Sequence, residues 1–167
     1  MREIPLTQGK VALVDDEDFE RINQHKWYLR KFKGRLYAER DTRPKRQKIK
    51  MHREVLRLKY GEDKIIDHRN HNGLDNRRCN LRICTNAENT HNQRAQTRQK
   101  TSKYKGVHWN KKDHRWHAQI KYNNKIYHLG TFIYEVDAAK IYDRRAIELF
   151  GDYACPNFPI ENYRQIA

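Results

Sequence analysis

The stretch Ile66-Asp-His-Arg-Asn-His-Asn-Gly-Leu-Asp-Asn-Arg-Arg-Cys-Asn-Leu-Arg82, followed by Thr85-Asn-Ala-Glu-Asn-Thr-His-Asn92, gathers proton-accepting and cation-binding side chains into one short span. Ile65-Ile66 enters Asp67-His68 as a short strand, and a Gly-, Asn- and Asp-rich loop follows through Asn72-Gly73 and Asp75-Asn76. Extended structure resumes over Asn80-Leu-Arg-Ile83. Thr85-Asn-Ala-Glu88 is a capping-box sequence, in which hydroxyl and carboxylate each satisfy a free amide at a helix start. A helix therefore begins there and carries Asn89, Asn92 and Gln93.

These side chains suit hydrolysis of a phosphodiester, which needs an activated water, neutralisation of charge on the phosphorane and a stabilised leaving oxygen. His68 is the natural base, because imidazole titrates near neutral pH. Asp67 precedes it in a strand and points to the other side of the backbone or onto a local kink, so Asp67 is assigned to metal and His68 to water. Asn89 lies early on the helix, where its amide oxygen can complete the hard-oxygen coordination that Mg²⁺ or Mn²⁺ prefers; Asn92 is the alternative. Asn80 reads as a scaffold whose amide bonds backbone groups across the 70–79 loop and holds the His68 ring. Arg69, Arg77, Arg78 and Arg82 suit phosphate clamping by planar donors.

Composition points the same way. Lys and Arg total 36 against 21 Asp and Glu, and the resulting charge of +15 repels itself unless a polyanion neutralises it. The charge is interleaved with Trp, Tyr, His and Asn, which favours specific nucleic-acid binding over a featureless basic tail. A hydrophobic fraction of 37% leaves only modest cores, so small, loop-rich domains are expected. Cys79, Cys84 and Cys155 form no Cys-x-x-Cys pair, which argues against a disulfide framework and for a reducing compartment. Structural zinc needs four ligands, of which Cys79-x4-Cys84 supplies two; a zinc site that also uses His71 is the minor alternative. No apolar run approaches the ~20 residues that span a bilayer, and no secretory signal is evident, so the chain reads as soluble and unexported.

Upstream, Lys10–Val14, Lys26–Arg30 and Arg35–Arg40 are β-prone pieces, and 15–23 is a short helix with Asp16 or Asp18 available to cap it. Met51, Val55 and Leu58 share one face of a helix over 51–59, ended by Tyr60-Gly61. Residues 94–103 form a basic linker without a core of its own, suited to ordering along a phosphate backbone. Beyond it, 104–109, 115–122 and 125–132 make three strands, with a tight hairpin turn at Asn123-Asn124 and an amphipathic helix over 136–150 ended by Gly151. Period two turns Trp116, Ala118 and Ile120 toward that helix and Arg115, His117, Gln119 and Lys121 away from it, onto an outward polar face.

The Ile66–Arg82 stretch resembles the core of the HNH nuclease family, which implies a ββα-metal arrangement. The spacing from His68 to Asn89 agrees with that family's metal residue on the helix. Many members carry His there, whereas the homing-endonuclease branch commonly uses Asn. His52-Arg53 matches the family's preceding helix, with packing and phosphate contact as the reading for His52. Tyr104-Lys-Gly-Val, Trp116-His-Ala-Gln-Ile, Leu129-Gly-Thr-Phe, Asp137-Ala-Ala-Lys-Ile-Tyr-Asp143 and Asn157-Phe-Pro159 closely resemble the DNA-binding domain of plant ethylene-response factors, the APETALA-two type. That family lays its sheet in the major groove, and by position the first strand adds Lys105, His108 and Asn110 and the third adds His128. Plant members carry Arg and Trp at several of these places, so their base preference does not transfer. Trp109 and Tyr142 read as core.

The expectation is an α+β chain: a small β-rich platform over 1–50, an HNH ββα-metal nuclease core over 51–94, a basic linker over 95–103, and over 104–160 a three-stranded antiparallel sheet packed on one helix. Its expected activity is that of a metal-dependent, site-specific HNH homing endonuclease leaving 5′-phosphate and 3′-hydroxyl ends. The expected partner is double-stranded DNA, bound by a monomer away from membranes, in the cytoplasm of a bacterial or phage-infected cell. The rivals are a transcription regulator that retains a spent nuclease fold and an RNA-binding protein, the latter disfavoured because A-form RNA hides its major groove.

Overall fold

The computed structural model describes residues 1–44, 46–93 and 101–163. Most of the expected basic linker, residues 94–100, lies outside them. The chain divides into two compact units, Met1–Asn86 and Ala87–Ala167.

The first unit opens with β1 (Arg2–Pro5) antiparallel to β2 (Val11–Val14). Alternation sends Ile4, Ala12 and Val14 inward, each at most 1% exposed. Next, α1 (Asp16–Asn23) buries Phe19 and Ile22. Asp15 is its N-cap residue but makes no side-chain cap bond; its carboxylate instead accepts from the Arg78 amide at 2.7 Å. Asp16 and Asp18, expected as caps, lie inside the helix.

A three-stranded antiparallel sheet follows, in the order β3 (Tyr28–Phe32), β4 (Arg35–Asp41), β5 (Lys48–Lys50). It runs directly into α2 (Met51–Val55). This helix is shorter than its apolar spacing suggests, because Arg57 takes a left-handed φ of 54° and turns the chain away. β6 (Ile65–His68) then pairs antiparallel with β7 (Leu81–Cys84), placing Asp67 opposite Arg82 and His68 opposite Leu81. Met51, Val55 and Leu81 share one core with Ile4, Leu6, Val14, Ile22 and Trp27. A boundary at 50/51 therefore falls inside a continuous hydrophobic cluster.

The loop between β6 and β7 is sewn to β2. The Leu13 amide donates to the Leu74 carbonyl at 2.8 Å, and the Asn76 amide donates to the Leu13 carbonyl at 2.8 Å. Gly73 presses on β4: a Cβ there would collide with the Leu36 carbonyl and lie 2.8 Å from the Tyr37 ring.

The short helix α3 (Asn86–His91) begins where the second unit starts. There β8 (Val107–Asn110), β9 (Arg115–Tyr122) and β10 (Lys125–Phe132) form an antiparallel sheet with β9 in the centre. Asn123 and Asn124 both take positive φ, 48° and 61°, the geometry of a two-residue hairpin turn. One face packs on α4 (Glu135–Phe150), where Val107 and Ala118 meet Ala138 and Ala139, and Ile120 meets Tyr142 and Ala146. Trp109 packs edge-on to Trp116 with centroids 5.0 Å apart.

Two contacts lock this unit. Asp143 is fully buried and accepts from the Asn157 amide and side chain, the Phe158 amide and the Tyr163 hydroxyl, at 2.8–3.0 Å. Gly106, with φ of +76°, lies under the Tyr142 ring so closely that an added Cβ would occupy ring atoms. Gly106→Ala combines a steric clash with an unfavourable φ and is expected to cost roughly 2–4 kcal/mol. A thermal melt followed by circular dichroism should show the C-terminal unit melting earlier, and an unchanged melt would refute this packing.

Candidate active site and nucleic-acid face

Asp67 and His68 end β6, and both are buried, at 6% and 7% exposure. The Asp67 carboxylate takes two bonds from Arg82 on Oδ2, from Nε at 2.9 Å and Nη2 at 2.6 Å. Arg82, expected on phosphate, is itself only 8% exposed, and its fork is directed at this carboxylate. The β6–β7 register makes the pair, because residues directly opposite on one face of a sheet meet.

His68 stands among rings. Its centroid is 5.1 Å from that of His52, edge-on, and 6.1 Å from that of Tyr37. The Nε2 atom is buried. Burial holds the imidazole below the ordinary 6.5; the Asn76 amide and the charges of Asp67 and Asp75 push the other way, and Arg35 lowers it again. His52 is pushed well below 6.5, first by burial and then by His68, Lys50 and Arg53. His52 thus packs as a neutral ring against His68, and its phosphate-contact reading gives way to burial at 7% exposure.

Asn80 bonds both ends of the loop. Its oxygen accepts from the Asn70 amide at 3.0 Å, its Nδ2 donates to the Asp75 carbonyl at 2.7 Å, and its backbone carbonyl accepts from the Arg69 amide at 2.9 Å. Asp75, 2% exposed, accepts from Asn70 Nδ2 and takes the Arg77 guanidinium bidentately at 2.7 and 2.8 Å. Those Arg77 bonds hold the Asp75 carboxyl below its usual range against the opposing effect of burial. Arg78 grips Asp18 bidentately at 2.7 and 2.9 Å and also pairs with Glu17. Both arginines, expected to clamp phosphate, bind carboxylates of the protein. Sequence reasoning missed Asp18, Asp75 and Tyr37 because their partners arrive from distant segments; only the short Asp75-x-Arg77 spacing was legible.

A divalent cation is the cofactor that the sequence pattern implies. Among the described residues no group of three His, Cys, Asp or Glu side chains comes close enough to hold one. The donor chemistry still fits a hard ion: the Asp67 carboxylate, which Arg82 bonds on Oδ2, is the kind of oxygen ligand that such ions take. Asn89 lies on α3 within the second unit, and Asn92 just beyond it is 4% exposed.

On the sheet, β9 turns His117 and Gln119 away from α4, with Arg115 and Lys121 fully on the exposed side. His108 and Asn110 of β8 stand opposite His117 and Arg115, and His128 of β10 stands opposite Gln119. Lys105 differs from this set: its ammonium donates at 2.7 Å to the His91 and Gln93 carbonyls at the end of α3, and its backbone amide and carbonyl both bond Asn157.

Residues 50–91, which include the β6–β7 hairpin and its flanks, match the profile of HNH endonucleases. Over most of its length, 154 residues and 90% of the chain, the protein is similar to an uncharacterized HNH endonuclease of Acanthamoeba polyphaga mimivirus, at 29% identity and covering 76% of that relative. The C-terminal part is similar to two Arabidopsis thaliana proteins: an ethylene-responsive transcription factor (44% over 64 residues, 37% of this chain) and an AP2-like one (40% over 67 residues, 39% of this chain). The chain spans only 15% and 19% of those plant proteins, so the likeness concerns one module.

Arg82→Met should destabilise the first unit by about 3–5 kcal/mol, because it removes the guanidinium from a buried carboxylate. Urea denaturation of Arg82→Met beside the Asp67→Asn, Arg82→Met double variant checks this. The double variant is expected to recover part of the loss, and equal losses would break the assignment.

Proposed function

We propose that this protein is a metal-dependent, site-specific DNA endonuclease of the HNH homing type, which hydrolyses phosphodiester bonds to 5′-phosphate and 3′-hydroxyl ends. The observation that carries the reading is Asp67-His68 at the end of a hairpin whose loop is bonded through Asn80, inside a segment matching HNH endonucleases. The partner is duplex DNA, which the basic charge and the similarity to ethylene-responsive transcription factors support.

His68 takes the proton of the attacking water. Burial favours the neutral imidazole, the state a general base requires. His52 and Tyr37 flank the ring and limit its rotation. Asp67 is the proposed metal ligand, with Arg82 fixing the carboxylate; Asn89 joins it on the strength of sequence spacing, with Asn92 as the alternative. When bound, Mg²⁺ or Mn²⁺ supplies neutralisation of the scissile phosphate's charge. Asn80 is a positioning residue that sets the loop after His68. Arg115, His117, Gln119, Lys121, His108, Asn110 and His128 form the proposed DNA-reading face. Gln and Asn are suited to adenine edges and Lys and Arg to guanine.

His68→Ala should abolish plasmid cleavage in Mg²⁺, by at least about 100-fold, while duplex affinity stays within a few-fold. Equal cleavage by the variant rejects His68 as the base, and cleavage by the wild type in excess EDTA rejects the metal. Gln119→Ala with Lys121→Ala should weaken duplex binding, relax its sequence preference and reduce the salt slope by about one counterion. Unchanged footprints would move recognition off this sheet.

A further inference from the structure

Three histidines form a row across the exposed face of the C-terminal sheet, one from each strand. His108 of β8 and His117 of β9 are directly paired, with ring centroids 5.4 Å apart. His128 of β10 stands on the other side, 5.1 Å from the His117 ring. The central imidazole is held from the β8–β9 turn: its Nε2 lies 2.7 Å from the Asp113 carboxylate and 3.3 Å from the Asn110 amide nitrogen. The His128 ring meets the Thr131 hydroxyl at 3.4 Å. Arg115 and Lys121 stand on the same face and add positive charge.

Resting on the reading of this face as the DNA interface, we infer that the His108–His117–His128 row is a proton-linked reader of guanine edges. Binding draws protons onto the imidazoles, so affinity and guanine preference both rise as the pH falls. A neutral imidazole offers one donor and one acceptor, and an imidazolium offers two donors. Guanine presents two acceptors to the major groove, N7 and O6, whereas adenine presents one acceptor and one donor. Protonation therefore changes which base the ring complements. His117 is the best-prepared member, since a proton on Nε2 is received by Asp113 and a second proton then makes Nδ1 a donor.

His108 sits below its ordinary 6.5, through burial first and then through His117 and His128, while Asp113 pulls weakly upward. The Asp113 carboxyl is lowered by its bond from His117 and that ring's charge, against desolvation. Duplex DNA brings roughly one negative charge per 1.7 Å of axis, which reverses the balance and raises the imidazoles in the complex. The linked gain in affinity is complete below the free-state values and is lost as the pH rises through the bound-state values. Each proton taken up contributes about tenfold in affinity per pH unit within that window.

The test uses the full chain in EDTA, with duplexes selected from a random pool at about pH 6 and at about pH 8, the range in which imidazole changes charge. Fluorescence anisotropy is expected to show at least about tenfold tighter binding at the lower pH, and calorimetry in two buffers of different ionisation heat to show net proton uptake. The pool selected at the lower pH should be enriched in guanine. His108→Gln, His117→Gln, His128→Gln together should flatten the ratio of Kd values at the two pH values, and Asp113→Asn alone should reduce it. A wild type that binds with a flat pH profile, a triple variant that keeps the wild-type ratio, or identical base preferences at both pH values would each overturn the inference. A wild type with no affinity for any duplex at either pH would instead overturn the DNA interface on which it rests.

Discussion

Leu13 joins the two halves of the first unit through two backbone hydrogen bonds, giving its amide to Leu74 and accepting from Asn76. Without them the loop after His68 would leave buried polar groups unsatisfied, at about 1–3 kcal/mol each. Asn76, fully buried, rides on this anchor, and so does Asp75, which orders Asn70 and Arg77 around itself. Asn80 closes the loop from its other end. The base of the proposed reaction thus owes its setting to a strand that lies far from it in the chain and contributes no chemical group.

The charge of the protein is divided between two uses. In the first unit several arginines build the scaffold: Arg78 and Arg21 share Asp18, Arg77 takes Asp75, Arg40 takes Glu54, and Arg82 takes Asp67. Where the carboxylate is buried, as in Asp18, Asp75 and Asp67, such a pair adds little over an apolar alternative, but removing the arginine leaves a charge in a poor solvent. They therefore act as strict registers between segments. The Asp67–Arg82 pair shows the consequence most directly, since the same carboxylate that suits a hard cation is oriented by a guanidinium.

In the second unit the division is between faces. The side toward α4 is settled by small residues and by Gly106 beneath Tyr142, while Asp143 pins the C-terminal loop beside it. The opposite side carries one imidazole from each of the three strands. Imidazoles bring a titratable donor set in place of a permanent charge.

Much of this was legible in the residues themselves. The β6–β7 hairpin, the start of α3, the three C-terminal strands and the inward set Trp116, Ala118 and Ile120 follow from period, turn chemistry and capping, which are local and act between near neighbours. The pattern from Asp67 to Asn89 and the recognition blocks likewise lie in contiguous sequence. Only the tertiary structure decided the intramolecular partners: Arg82 on Asp67, Arg78 on Asp18, Lys105 on the end of α3, and His52 against His68. A guanidinium or an ammonium binds whichever acceptor the fold brings within hydrogen-bond reach. In the first unit that proximity is set by burial of a core running from Ile4 to Leu81, which no local window of sequence contains.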